Sequence, residues 1–422
     1  MKKTGFPNIN KGLDSIFSRG LWFALFMLLF NINEFAQTAY ITNSAFNTVS
    51  VIDVPSNTIT ATIPVGSYPF GVTVSPDGNK VYITNNGSNS VSVILTSDAS
   101  VSNTITVGGN PDGIVELLDG SKLYVANFGD GSVSVINALT ETVSATIQVG
   151  ITPYGISVSP DGSRVYVANY SLNSVCVINA VSDTVLATVA VGNKPIGIAV
   201  SVDGTKVYVT NSIDSSVSII DASADSVSQT IAVGSNPYGV VFSPDGTKAY
   251  VANQTTDDVS IIDVATGTVT GTVSVDPGPA GISVSPDGSR VYTANHEVNT
   301  VSVINTIADT VLATIPVGNS PIALGNFISS YSISTQVVSP DIESNDIVVY
   351  PSPASMLLNI HLFDNVPSQQ LIILDLLGNE VYKEILNGID NRIDISDLSN
   401  GVYFYQLKSD KQSKNGKFVV EK

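Results

Sequence analysis

Apolar and polar residues alternate with a period of two through most of the chain. In TVLATVAVG, Val185, Ala187, Val189 and Val191 fall on one side. Such alternation predicts half-buried β-strands, and no segment carries the spacing of an amphipathic helix. From Pro153 to Val191 the chain reads as four short strands. PYGISVS leads through a tight Pro160-Asp161-Gly162 turn into RVYVAN, and SVCVIN and TVLATVAVG follow. The turn chemistry fits, with Asp capping and Gly taking the positive φ.

This unit recurs. Tyr40, Tyr82, Tyr124, Tyr166, Tyr208, Tyr250 and Tyr292 stand 42 residues apart. An Asn follows each by three residues, from Asn43 to Asn295, and prolines from Pro69 to Pro321 keep the same interval. An antiparallel four-stranded unit repeated seven times without insertion predicts an all-β, seven-bladed β-propeller over residues 37–330. The first unit begins at its second strand. The missing strand stands after the seventh unit, at 321–328, which predicts a ring closed by the two ends of the repeat region, hiding two sheet edges.

The repeated tetrad reads YVTN at Tyr208, YVAN at Tyr124, Tyr166 and Tyr250, YITN at Tyr40 and Tyr82, and YTAN at Tyr292. Residues 37–330 thereby resemble the YVTN-repeat propellers, a family of secreted or surface-layer proteins. The resemblance implies no reaction by itself.

The pattern stops after 330, and residues 331–346 read as a linker. Short alternating strands then resume over 347–422. Tyr350-Pro351-Ser352-Pro353-Ala354, Leu377-Gly378-Asn379-Glu380-Val381, Leu398-Ser399-Asn400-Gly401-Val402-Tyr403 and a final strand containing Lys417 appear in order. This stretch resembles the type A C-terminal sorting domain of the type IX secretion system, with Ser352 where that family usually has Asn. The resemblance implies a small immunoglobulin-like β-sandwich and type IX-like secretion machinery as a partner. It makes Tyr350, Pro351, Pro353, Gly378, Asn379, Gly401, Val402, Tyr403 and Lys417 the sorting-signal residues. It also implies removal of the domain after outer-membrane translocation, with the remainder released or attached to the outer cell surface.

At the other end, Lys2, Lys3, Lys11 and Arg19 precede LWFALFMLLF. A basic stretch before such a short apolar run predicts a signal peptide over 1–36, cleaved near Ala36–Gln37, and no transmembrane segment in the mature protein.

Composition narrows the partners. Net charge is −18, and residues 37–330 hold 7 Lys+Arg against 22 Asp+Glu, so nucleic acid is not an expected partner. The acidic surface would bind calcium loosely, and no cofactor is expected. The single cysteine, Cys176, excludes an internal disulfide framework.

In a propeller of this register the loops after each Asn share one face with the loops before each Pro. Their sequences differ from blade to blade, which is where specificity would arise. Tyr68, Phe70, Phe128, Tyr154, Tyr170 and Tyr238, with Asp112, Asp130, Asp257, Asp258 and His296, are expected to form a mixed aromatic and acidic rim. Aromatic faces and carboxylates suit a surface glycan or a protein ligand. The basic residue after each Asp-Gly turn is expected to shield a strand start, and the repeated Asn to satisfy backbone groups at its strand end.

Two alternatives differ in class. Related rings open lactones with a metal in the central channel, so a lactonase-like or other hydrolytic enzyme is one. Such chemistry needs a base or ligands converging on the axis. The chain has only His296 and His361, and the positions after each P-x-G are apolar, from Val72 and Ile114 to Leu324. The chain therefore reads as noncatalytic, with no catalytic or metal residues. The other alternative is a structural surface-layer component.

Overall fold

The computed structural model describes residues 37–329 and, towards the C-terminus, 347–350, 357–362, 369–374, 379–386, 390–399, 401–408 and 413–420. The expected signal peptide and linker lie outside these residues. The chain divides into two compact units, Met1–Ser334 and Thr335–Lys422.

The first unit is a propeller of seven sheets. Blade 2 runs outward from the axis through Pro69–Val74, Lys80–Asn85, Ser90–Leu95 and Ser100–Thr106. Blades 3 to 7 repeat it, from Pro111–Glu116 in blade 3 to Thr310–Pro316 in blade 7. Blade 1 contributes Thr38–Asn43, Thr48–Asp53 and Thr58–Pro64, and the returning chain lies along its inner edge. There Ile322 N donates to Thr42 O (3.0 Å), Tyr40 N to Phe327 O (2.8 Å) and Ser329 N to Thr38 O (2.9 Å).

Burial follows the layering. The second and third strands are buried on both faces because a blade packs on either side. The outermost strand is mostly exposed, keeping one deeply buried Ile or Val near its end, such as Val189.

The repeated letters are contacts between blades. The seven tyrosines are all buried. Tyr124 Oη donates to Asp183 Oδ1 of blade 4 (2.7 Å), and Tyr292 Oη to Asn57 Oδ1 of blade 1 (3.0 Å). Where the third letter of the tetrad is Thr, its hydroxyl reaches the innermost strand of the next blade: Thr84 Oγ1 donates to Asp112 O (2.6 Å) and Thr210 Oγ1 to Tyr238 O (2.7 Å). The P-x-G glycine permits that approach, since a Cβ at Gly155 would lie 2.1 Å from Ile196 O.

The basic residue after each Asp-Gly turn does more than shield a strand start. Lys80 pairs with Glu141 (2.7 Å), Lys122 with Asp183 (2.8 Å) and Arg164 with Asp225 (2.8 Å), each in the following blade. The acceptors sit at left-handed turn positions, with φ of 53°, 55° and 47°. Asp is enriched in that region, so one residue serves the turn and the ion pair. In blade 6 that position is Gly267, without a carboxylate, and Lys206 Nζ donates to Val264 O (3.0 Å).

The repeated Asn meets its expected role in some blades and bonds to side chains in others. Asn127 Nδ2 donates to hydroxyls of the third strand, Ser132 Oγ (3.0 Å) and Ser134 Oγ (2.9 Å), rather than to backbone. At Asn169 the amide does serve backbone, as expected. Cys176 stands where its Ser partner would be, and the amide donates to Val149 O instead (2.9 Å). The Cys176 thiol is buried and unpaired, and burial raises it to about 11.

The second unit has a sheet of Ile347–Tyr350, Leu357–Leu362 and Asp390–Asp394, and another of Glu380–Leu386, Gln369–Leu374, Gly401–Lys408 and Ser413–Val420. Both contribute to one core that includes Leu358, Ile393, Leu371 and Phe418, which makes a small sandwich. Among the sorting-signal residues, Tyr403 is buried against Phe418 and donates its hydroxyl to Ser399 O (2.9 Å). Tyr350 pairs with Asn359, Gly401 with Val420, Val402 with Val419 and Lys417 with Phe404. Asn379 is exposed, and Pro351, Pro353 and Gly378 lie outside the described residues.

Candidate ligand-binding site

The innermost strand of each blade carries its P-x-G residue towards the axis, and these residues decide what closes the channel. Phe70, Ile196, Tyr238, Ala280, Ile322 and Leu324 pack in one cluster, with Tyr154 and Tyr170 against it. Tyr154 is the hub. Its ring lies 5.6 Å from Phe70, 5.9 Å from Phe128, 5.9 Å from Tyr170 and 6.0 Å from Tyr238, mostly edge to face. The Tyr154 and Tyr238 hydroxyls are hydrogen-bonded to each other. Burial, with Tyr238 and Asp112 nearby, drives the Tyr154 phenol well above its ordinary range.

Five of the six expected aromatic residues therefore come together, as a plug across the axis rather than an open rim. Tyr68 stands apart, half exposed, with a left-handed φ of 52°. Every residue before the repeated Pro takes this conformation: Asn110, Thr152, Lys194, Asn236, Gly278 and Ser320 have φ between 50° and 77°.

The acidic members do not join the aromatic pocket. Asp112 is 3% exposed in the axial ring and accepts a hydrogen bond from Asn86 Nδ2 (2.7 Å). Burial pushes its carboxyl up to about 7 against the opposing pull of that bond. Asp130 Oδ2 accepts from Gly109 N (2.5 Å) and Asp257 Oδ1 from Gly278 N (3.0 Å), so both brace the loops before the prolines. Asp258 Oδ1 accepts from Asn253 Nδ2 (2.6 Å). His296 is half-buried, its backbone N donating to Gly278 O (2.8 Å). Among the described residues no group of three or more His, Cys, Asp or Glu is placed to hold a metal ion.

Beside the plug, on the face of the variable loops, a cavity of about 680 Å³ opens across blades 3 to 6. Phe128, Tyr154, Tyr170 and Tyr238 form its aromatic wall, and Asn236, Gln254, Ser212, Ser215, Ser235 and Thr255 its polar side. Asn236 Nδ2 donates to Gln254 Oε1 (2.8 Å), which holds both amides at the wall. Lys194 Nζ lies 4.4 Å from the Tyr170 ring centroid. Sequence reasoning missed Asn236 and Gln254. Their signal was the ring order, which sets the loops of blades 5 and 6 beside the aromatic residues of blades 3 and 4.

Residues 348–421 match the family model of the secretion system C-terminal sorting domain, and residues 193–350 that of the YNCE-like beta-propeller. No curated protein matches the chain. Among solved structures, hydrazine synthase from Kuenenia stuttgartiensis is similar at 23% identity and a TM-score of 0.57, over 64% of this chain and 96% of that one. A functionally unknown protein from Desulfotomaculum acetoxidans DSM 771 is similar at 15% and 0.60, over 68% and 99%. A 6-phosphogluconolactonase candidate from Bacteroides fragilis NCTC 9343 is similar at 18% and 0.59, over 70% and 98%. At such identities the likeness is one of fold. The sorting domain marks the chain for export to the cell surface or beyond.

Proposed function

We propose that this chain, a β-propeller joined to a type IX sorting domain, is a noncatalytic binding protein whose variable face holds a sugar residue of a surface glycan. The observation that carries the reading is the cavity of about 680 Å³ with aromatic rings on one wall and amides and hydroxyls on the other. A pyranose presents apolar C–H faces and a belt of hydroxyls, and each finds its complement there. The plug holds Tyr154 and Tyr238 rigidly, so little ordering entropy is lost on binding. The signal peptide would start the export route, and removal of the tail would leave the ring as the working part.

The test is a glycan array with the purified chain, followed by titration of any hit. Gln254→Ala alters the polar wall, and Tyr170→Ala removes the half-buried ring at the edge of the plug that faces the cavity. Each is expected to weaken a genuine ligand about tenfold or more, the loss of one stacking face or one amide pair. Absence of saturable binding across the array, or binding indifferent to both substitutions, overturns the reading.

A further inference from the structure

Blade 3 departs from its neighbours at the end of its innermost strand. Residues 116–120 read ELLDG where blade 4 has VSPDG at 158–162. Glu116 occupies the place of Val74, Val158, Val200, Phe242 and Val284 in five other blades. It is 6% exposed, and its Oε2 is sealed from solvent without a hydrogen-bond partner. Leu118 replaces the turn proline and is 59% exposed.

These departures meet at one place. A cavity of about 310 Å³ between blades 2 and 3, on the Asp-Gly turn face, is lined by Glu116, Asp77, Asp119, Tyr82, Leu118 and Leu139. Lys80 also reaches it but is spent on Glu141 (2.7 Å). Asp77 and Asp119 already accept hydrogen bonds from Ser75, Asn79 and Ser121. Glu116 alone among these carboxyls lacks a donor.

We infer that this cavity binds a primary ammonium on an aliphatic stem, the chemistry of a lysine side chain. The ammonium supplies three donors to the unpartnered carboxylate and a charge opposite to those of Asp77 and Asp119. The stem lies along Leu118 and Leu139, which line the cavity and are 59% and 91% exposed. The inference does not depend on the glycan pocket, which lies on the other face.

The experiment titrates the folded chain with Nα-acetyl-lysine methylamide, with its norleucine analogue lacking the ammonium, and with n-pentylamine. Saturable binding of the lysine compound at a Kd of about 1–10 mM, and none of the norleucine one, is expected. Pentylamine binding as well as blocked lysine assigns the site to free amines; weaker binding assigns it to a polypeptide. Either supports the ammonium site.

Affinity should rise at least about fivefold between roughly pH 6 and pH 8, because Glu116 ionises in that interval. Burial holds its carboxyl up to about 7, while Asp77, Asp119 and Glu141 are held below the usual range and Tyr82 far above its own. Glu116→Val installs the residue of the other blades and should abolish binding with the fold intact by circular dichroism. No binding of either amine, equal binding of norleucine, or binding kept in Glu116→Val overturns the inference.

Discussion

Blades 3 and 4 lie side by side with the same strand lengths and the same register. Pro111 faces Asn127 and Ile114 faces Val125 in one, as Pro153 faces Asn169 and Ile156 faces Val167 in the other. Yet blade 3 sends Asp112 to the axis and buries Glu116, where blade 4 has Tyr154 and Val158. The residues they share, the tyrosine, the basic residue and the P-x-G glycine, all reach towards the next blade. Asp112 and Glu116, by contrast, lie at the axis and by the turn, where the frame does not require one residue type. A ring of this kind separates the positions that hold it together from those free to carry chemistry.

Removing what the two blades share should have the largest effect. In Gly155→Ala the new Cβ would meet Ile196 O at 2.1 Å, and in Gly113→Ala it would meet Tyr154 O at 2.5 Å. Backbone on the adjoining blade cannot step aside as a side chain can, so each change should cost about 3 kcal/mol or more in urea unfolding. Gly162→Ala is the control. Its φ is +69° but nothing lies within 4 Å, and a loss of only about 1 kcal/mol is expected. Equal losses at Gly155 and Gly162 would mean that contact between blades is not what the glycine serves.

Making blade 3 resemble blade 4 should have the next largest effect, with the opposite sign. The Glu116 carboxyl sits at about 7 in the folded chain and at about 4.3 when unfolded. Between those values the folded state holds the extra proton, so its contribution falls as pH rises through that window and stays low above it. Glu116→Val should therefore gain on the order of 2 kcal/mol near pH 8 and much less near pH 4. A pH-independent gain would point to packing alone.

The smallest change concerns one hydroxyl. Tyr124→Phe removes the bonds to Asp183 (2.7 Å) and Ala180 O (3.1 Å), while Lys122 still pairs with Asp183. A loss of about 1 kcal/mol is expected in thermal or urea unfolding. No measurable loss would leave ring packing as the tyrosine's only contribution.

Much of the ring was legible because one interval repeats without a gap. That phase gave the strands, the Asp-Gly turns and the shared face of the variable loops. It gave less about direction. Tyr154 and Tyr238 are at the variable positions, but the sequence does not say that their hydroxyls meet over the axis and turn a rim into a plug. Asp130 and Asp257 look like free carboxylates until Gly109 N and Gly278 N, in the loops before Pro111 and Pro279, are seen to need an acceptor. The ELLDG departure is written in the chain, yet burial of Glu116 is a property of two blades together. Pairwise packing across the ring is the information that a single repeat does not contain.

The closing strand also has a consequence in time. Thr38 and Ser329 are bonded partners 291 residues apart. At ribosomal rates, roughly 15–60 s separate their synthesis, and during that interval the inner edge of blade 1 has no strand to pair with. The ring can be completed only when nearly all of it has been made. An incomplete copy therefore leaves the inner edge of blade 1 unpaired, and the last stitch of the ring waits for the end of the repeat region.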